Sequence, residues 1–178
     1  MKAQTMCQWS AIGAMLVAYG LTANAAQADA KTDQRALIGT WTLVAADVQR
    51  PDGSRARDYG ADPKGRLVID AQGHYSLQIF KSERVKFISG DKAVASAEEY
   101  KAAVMGSSTH FGTLKVDSAA GTLSFHIQSA SFPNWEGQVQ KRNYELNGDV
   151  LSYRVTPRPN GDVPISIWQR VSDSDLGD

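Results

Sequence analysis

Gly39-Thr40-Trp41 opens the first β-rich stretch of this chain, and Trp168-Gln169-Arg170 closes the last one. Between them lie short strand patterns separated by turn residues, with no long helical run. The two tryptophans and Arg170 read most simply as structural, a guanidinium laid on an indole closing one end of a barrel by cation–π contact. A small β-barrel closed in this way leaves no free sheet edge, and its interior can hold one small ligand. The bracket therefore predicts an all-β fold with an inside.

Working inward, Trp41–Val48 reads as the first strand. Residues 50–65 are polar and turn-rich, with Pro51-Asp52-Gly53 and Asp62-Pro63 as turn chemistry. Arg66–Asp70 and His74–Phe80 flank Asp70-Ala71-Gln72-Gly73, a hairpin signal. The one helical candidate is Ser96–Met105, where Ser96 caps and Glu98 and Glu99 place negative charge in the first turn. Ser107–Asp117 and Thr122–Ser131 flank another glycine turn. Gly137–Leu146 and Val150–Thr156 flank Asn147-Gly148-Asp149, a strong hairpin signal. Val163–Val171 is the last strand. Residues 32–38 are expected to form a short helical turn capped by Thr32 or Asp33. This spacing indicates a sandwich or a barrel. Eight strands in chain order favour an eight-stranded antiparallel up-and-down β-barrel with one short helix between strands.

Side chains alternate across a strand, so each strand presents one set inward. The expected inward sets are Trp41, Leu43 and Ala45; Tyr75, Leu77 and Ile79; and His110, Gly112, Leu114 and Val116. Leu123, Phe125 and Ile127 follow, with Ser129 and Ser131 in phase. The next strand places Tyr144 and Leu146 in phase with Gln138, Gln140 and Arg142, and the one after it gives Leu151, Tyr153 and Val155. The wall is apolar at one end and polar toward the other. A buried arginine is costly unless it is paired or meets an anion. Arg142 with His110, Gln140, Tyr144 and Tyr153 is therefore the candidate polar patch of a ligand pocket. The alternative is a bulge that slips the phase and turns Arg142 to solvent.

Trp135 lies in the unusual connection Ser131-Phe132-Pro133-Asn134-Trp135-Glu136-Gly137. There it either caps a ligand at the barrel mouth or covers the core. His126 joins the ligand-binding set as a candidate, although it falls on the face opposite Phe125. His74, His110 and His126 lie on three strands, but their spacing does not demand a metal, and neither a metal nor a cofactor is expected. Asp47, in phase with Trp41, reads as a solvated charge rather than as half of an acid/base dyad with a histidine.

Residues 1–25 have the layout of a secretory signal peptide. Lys2 is the only charge, an apolar run extends from Ala11 to Ala23, and Ala23-Asn24-Ala25 offers a cleavage site. The run is shorter than the roughly 20 residues of a spanning helix, so no transmembrane segment is expected after cleavage. The expected location is periplasmic or secreted. Residues 26–35 are a leader of the mature chain, 36–172 the barrel domain and 173–178 a tail. Cys7, the single cysteine, leaves with the signal, so neither disulfides nor thiol chemistry is available. The 19 basic and 19 acidic residues balance, and losing Lys2 leaves a net charge near zero. That gives no electrostatic case for nucleic acid or an anionic membrane.

Gly39-Thr40-Trp41, Asp62-Pro63-x-Gly65, Phe111-Gly112 before Leu114-x-Val116, His126, Phe132-Pro133-Asn134-Trp135-x-Gly137, Arg142 and Trp168-x-Arg170 together resemble the bacterial and fungal lipocalin-like domain family. The resemblance spans about residues 36 to 172, and its more specific parts are Pro-Asn-Trp-x-Gly and the spaced arginine. It implies an eight-stranded antiparallel barrel with an internal cavity. Fold analogy leaves function open. The first reading is an exported protein that binds a small hydrophobic or amphipathic molecule with a polar or anionic end. The alternative is an isomerase, cyclase or dehydratase, in which His110, His126 or a tyrosine moves a proton inside the barrel.

Overall fold

The computed structural model describes residues 34–172. The expected export signal, most of the leader with its caps Thr32 and Asp33, and the tail 173–178 lie outside the described residues. Among the described residues there are nine strands: β1 (Gly39–Gln49), β2 (Arg55–Ala56), β3 (Lys64–Ile69), β4 (His74–Phe80), β5 (Ser107–Asp117), β6 (Thr122–Ala130), β7 (Val139–Asn147), β8 (Val150–Arg154) and β9 (Val163–Arg170). One helix, α1 (Ala97–Met105), interrupts the connection between β4 and β5. From β3 onward each strand pairs antiparallel with the next in sequence, and β1 lies between β3 and β9. The two-residue β2 only extends the end of β1, so the closed barrel has eight strands in up-and-down order.

One end is filled and closed. Leu37, Trp41, Leu67, Leu123, Phe125, Leu151 and Trp168 are fully buried there. A helical turn at residues 34–37 seals the end, and Trp41 Nε1 donates to Leu37 O at 3.0 Å. Arg170 lies over the Trp41 ring at 4.1 Å. It donates to Ile38 O at 2.7 Å and to Ala36 O, and its Nε meets Asp149 at 2.9 Å. One guanidinium thus ties the turn, β1, β9 and the β7–β8 hairpin side together, as the bracket predicted.

Two bulges correct the expected phases. In the β1–β9 ladder Leu43 faces Trp168 and Ala45 faces Ile167, so Val44 is the extra residue and turns outward. The inward set becomes Trp41, Leu43, Ala46 and Val48, not Ala45 and Asp47. In the β5–β6 ladder Phe111 faces Ser129 and Gly112 faces Ile127, which leaves Gln128 extra. Ser129 therefore leaves the inward phase and donates to Glu136 Oε1 at 2.6 Å. Gly112 permits this bulge: a Cβ there would lie 2.0 Å from His126 O and 2.9 Å from Gln128 N.

The helix forms as its cap predicts. Ser96 Oγ accepts from Glu99 N at 3.1 Å, and Glu99 Oε2 accepts from Ser96 N at 2.8 Å, a reciprocal pair that satisfies two otherwise orphaned donors. No residue of α1 is buried. The connections 50–63, 81–106, 131–138 and 155–162 gather at the other end of the barrel, because the strands alternate in direction.

Candidate functional site

That other end is open and hollow. A cavity of about 480 Å³ enters the barrel there, with Ala46, Leu77, Ile79 and Val155 as apolar wall and Tyr59, Trp135 and Tyr153 as aromatic wall. Its polar floor is His110, Gln140 and Arg142. β7 runs from the mouth toward the closed end, so its alternation presents Gln140 first and Arg142 deeper on the same inward face.

Arg142 is only 5% exposed. Its guanidinium lies 4.0 Å from the Phe125 ring centroid and 4.9 Å from that of Tyr153 and contacts both rings. Nη2 donates to Gln140 Oε1 at 2.9 Å and meets His110 Nε2 at 3.1 Å. The buried Nε finds no partner in the protein. Among the described residues no carboxylate pairs with this charge. The acidic groups that border the cavity are engaged elsewhere: Asp47 with Arg55 at 3.0 Å, and Asp58 with Arg158 at 2.5 Å. Tyr153 Oη is also buried without a protein partner.

The chain behind Arg142 has a defined direction. A guanidinium nitrogen only donates, so His110 Nε2 accepts. The imidazole proton then sits on Nδ1, which donates to Tyr75 Oη at 2.7 Å. Burial, reinforced by the Arg142 charge, pushes the His110 pKa down to about 3. His110 is therefore a neutral acceptor for Arg142. Burial raises the pKa of Tyr75, so it stays a phenol. Edge-to-face packing of Tyr75, Phe125 and Trp135 on the imidazole fixes the ring.

The structure brings together five of the seven site residues expected from sequence: Arg142, His110, Gln140, Tyr153 and Trp135 all line the cavity. Tyr144 shares the inward phase of β7 but lies two residues deeper, half-buried against the closed-end core and outside the cavity. His126 is a correction. It pairs with Thr113 and Val139 on the ladder, and alternation from buried Phe125 turns its side chain to the outer face. The three histidines do not converge, since His74 meets Asp70 at 2.8 Å beside the closed-end turn. Asp47 faces Arg55 rather than a histidine.

Sequence reasoning missed two participants. Alternation placed Tyr75 on the inward face without a role in the site, and its hydroxyl reaches His110 because β4 registers Leu77 against His110. Tyr59 sits in a segment that read as polar turn. Its backbone anchors to Ala46 O at 3.1 Å and to Ser82 N at 2.9 Å, which holds it at the mouth. An aromatic residue inside a polar loop was the available signal. No residue of the 81–106 connection lines the cavity.

A family model described as a lipocalin-like domain matches residues 38–171, most of the chain. No curated protein matches it. Among solved structures, a lipocalin-like protein from Bacteroides uniformis aligns with 16% identity and a TM-score of 0.39, covering 76% of this chain and 99% of that one. Fatty-acid-binding protein 1 of Echinococcus granulosus aligns with 14% identity and a TM-score of 0.36, covering 78% and 99%. A variant of the fluorescent protein UnaG aligns with 14% identity and a TM-score of 0.34, covering 76% and 96%.

Proposed function

We propose that this chain, which belongs to the lipocalin-like domain family, binds a small, mostly apolar molecule inside its barrel and holds that molecule's polar or anionic end at Arg142. One observation carries the reading: an arginine 5% exposed, bordering a cavity of about 480 Å³, with no carboxylate beside it among the described residues. An unpaired buried charge is expensive, and the open cavity, with its apolar and aromatic residues interleaved with polar ones, gives an anion a route to it. The volume suits a small organic ligand. With residues 1–25 read as an export signal, we place this binding in the periplasm or outside the cell.

Proton-transfer chemistry has less support. The accepting nitrogen of His110 is occupied by Arg142, and a pKa of about 3 makes it a poor base. His126 is on the outer face.

Native mass spectrometry of the protein purified from its own host tests the proposal. The expected spectrum shows a mass excess under native conditions that vanishes on denaturation, over a chain that begins after Ala25. Arg142→Met is expected to lose that excess, because it removes the cation and keeps an apolar side chain, and a thermal melt establishes that the variant is folded even though it strands the His110 acceptor. Retention of the same ligand by the methionine variant would falsify the Arg142 assignment.

A further inference from the structure

Arg142 Nη2 has two hydrogens and two acceptors, Gln140 Oε1 at 2.9 Å and His110 Nε2 at 3.1 Å. The acceptors differ in their freedom to leave. His110 is 4% exposed, boxed by rings, and anchored from behind by Tyr75. Gln140 is half-buried on β7, one inward position closer to the mouth, and its amide makes no other hydrogen bond to a side chain among those described. A group that enters from the mouth therefore reaches a guanidinium whose Nη2 hydrogens are already held, one by buried His110 and one by the looser Gln140 amide.

We infer that Gln140 is a displaceable stand-in for the ligand's head group and that residue 140 sets the charge the barrel accepts. This deepens the proposed binding function and rests on it. The amide oxygen partly satisfies a buried cation when no better acceptor is present. The guanidinium meets the Gln140 amide as a charge meets a dipole, whereas an oxyanion adds the attraction of opposite full charges, so an oxyanion on the ligand outcompetes Gln140, and a neutral hydroxyl or amide gains little by replacing it. The ligand class is thus an apolar body ending in an oxyanion such as a carboxylate or sulfonate. A glutamate at 140 would occupy the guanidinium permanently, convert the site to a closed ion pair and repel that head group.

Two fluorescent probes of nearly identical ring skeleton test this on the mature protein: anilinonaphthalene sulfonate, an anion, and phenylnaphthylamine, its neutral counterpart. The reading is the ratio of their affinities. Gln140→Glu is expected to lower the anion-to-neutral ratio about tenfold or more, since it places a like charge against the head group. Gln140→Ala is expected to raise the ratio, since it removes the competitor. Arg142→Met is the control for the site itself. If Arg142→Met lowers the ratio and Gln140→Glu leaves it at the wild-type value, the stand-in role is overturned and the binding site stands. If Arg142→Met has no effect, or the wild type does not bind the anion, the site and the inference fall together. Thermal melts establish that each variant is folded. If Gln140→Glu does not fold, Gln140→Ala decides alone, and a lowered ratio there overturns the inference.

Discussion

Arg142 and His110 show how one buried residue sets the chemistry of another. The guanidinium can only donate, which forces the imidazole to accept and to carry its proton on Nδ1, and burial keeps that imidazole neutral. The linkage to stability has a definite sign. In the unfolded chain His110 titrates near its ordinary value of 6.5, but in the barrel it titrates at about 3. Between those values the unfolded state binds more protons. The stability contributed by neutral His110 is complete above the unfolded pKa and falls as the pH drops toward the folded one, by up to about 1.4 kcal/mol per pH unit. His110→Gln keeps an acceptor for Arg142 but has nothing to protonate. Urea unfolding between about pH 4 and pH 7 should therefore show a steeper loss for the wild type than for this variant, and parallel profiles would contradict the neutral, buried imidazole. At this scale the sequence was partly legible. Alternation along β7 put Gln140 and Arg142 on one face, but the partnership with Tyr75 depends on the register between β4 and β5, and no local pattern encodes that.

At the scale of the element, turn chemistry and capping were readable because they are local. Ser96 with Glu99 is a reciprocal cap within four residues, and Asn147-Gly148 closes a hairpin with Gly148 at φ +59°. The two bulges were not readable. A bulge is a mismatch between two ladders, and one strand's sequence does not say where its partner skips. Val44 and Gln128 are the skipped residues, and the skips moved Ala46 into the cavity wall and Ser129 out of it. Gly112 offers the test. A methyl group there meets the backbone of His126 and Gln128, neither of which can rotate away. Gly112→Ala is expected to destabilise the protein by about 3 kcal/mol, as overpacking against backbone does, read as a lower urea midpoint. A midpoint within error of the wild type would mean that the ladder slips to absorb the methyl, and that the bulge does not fix the phase of Ser129.

Across the whole molecule the barrel divides into a filled half and a hollow half, and the boundary runs through Phe125, Tyr153 and Arg142. Closure of the filled half depends on Arg170, which joins the first strand, the last strand and the turn before them. Arg170→Leu strands the carbonyls of Ile38 and Ala36 and gives up the cation–π contact with Trp41. A loss of about 2 kcal/mol is expected, measured by thermal melting. Arg170→Lys should recover only part of it, because an ammonium cannot serve both carbonyls and lie flat on the indole. The tryptophan–arginine bracket, the eight strands, the capped helix and the shared face of Gln140 and Arg142 were determined by the sequence itself, since each follows from side-chain period, turn residues or composition acting over a few positions. The hollow at one end, the direction in which the face of Gln140 and Arg142 turns, the engagement of Asp47 by Arg55 and the contact of Tyr75 with His110 behind the polar floor were decided only by the tertiary structure. They depend on how strands far apart in the chain register across a closed sheet, and closure is a constraint on the whole ring of strands at once.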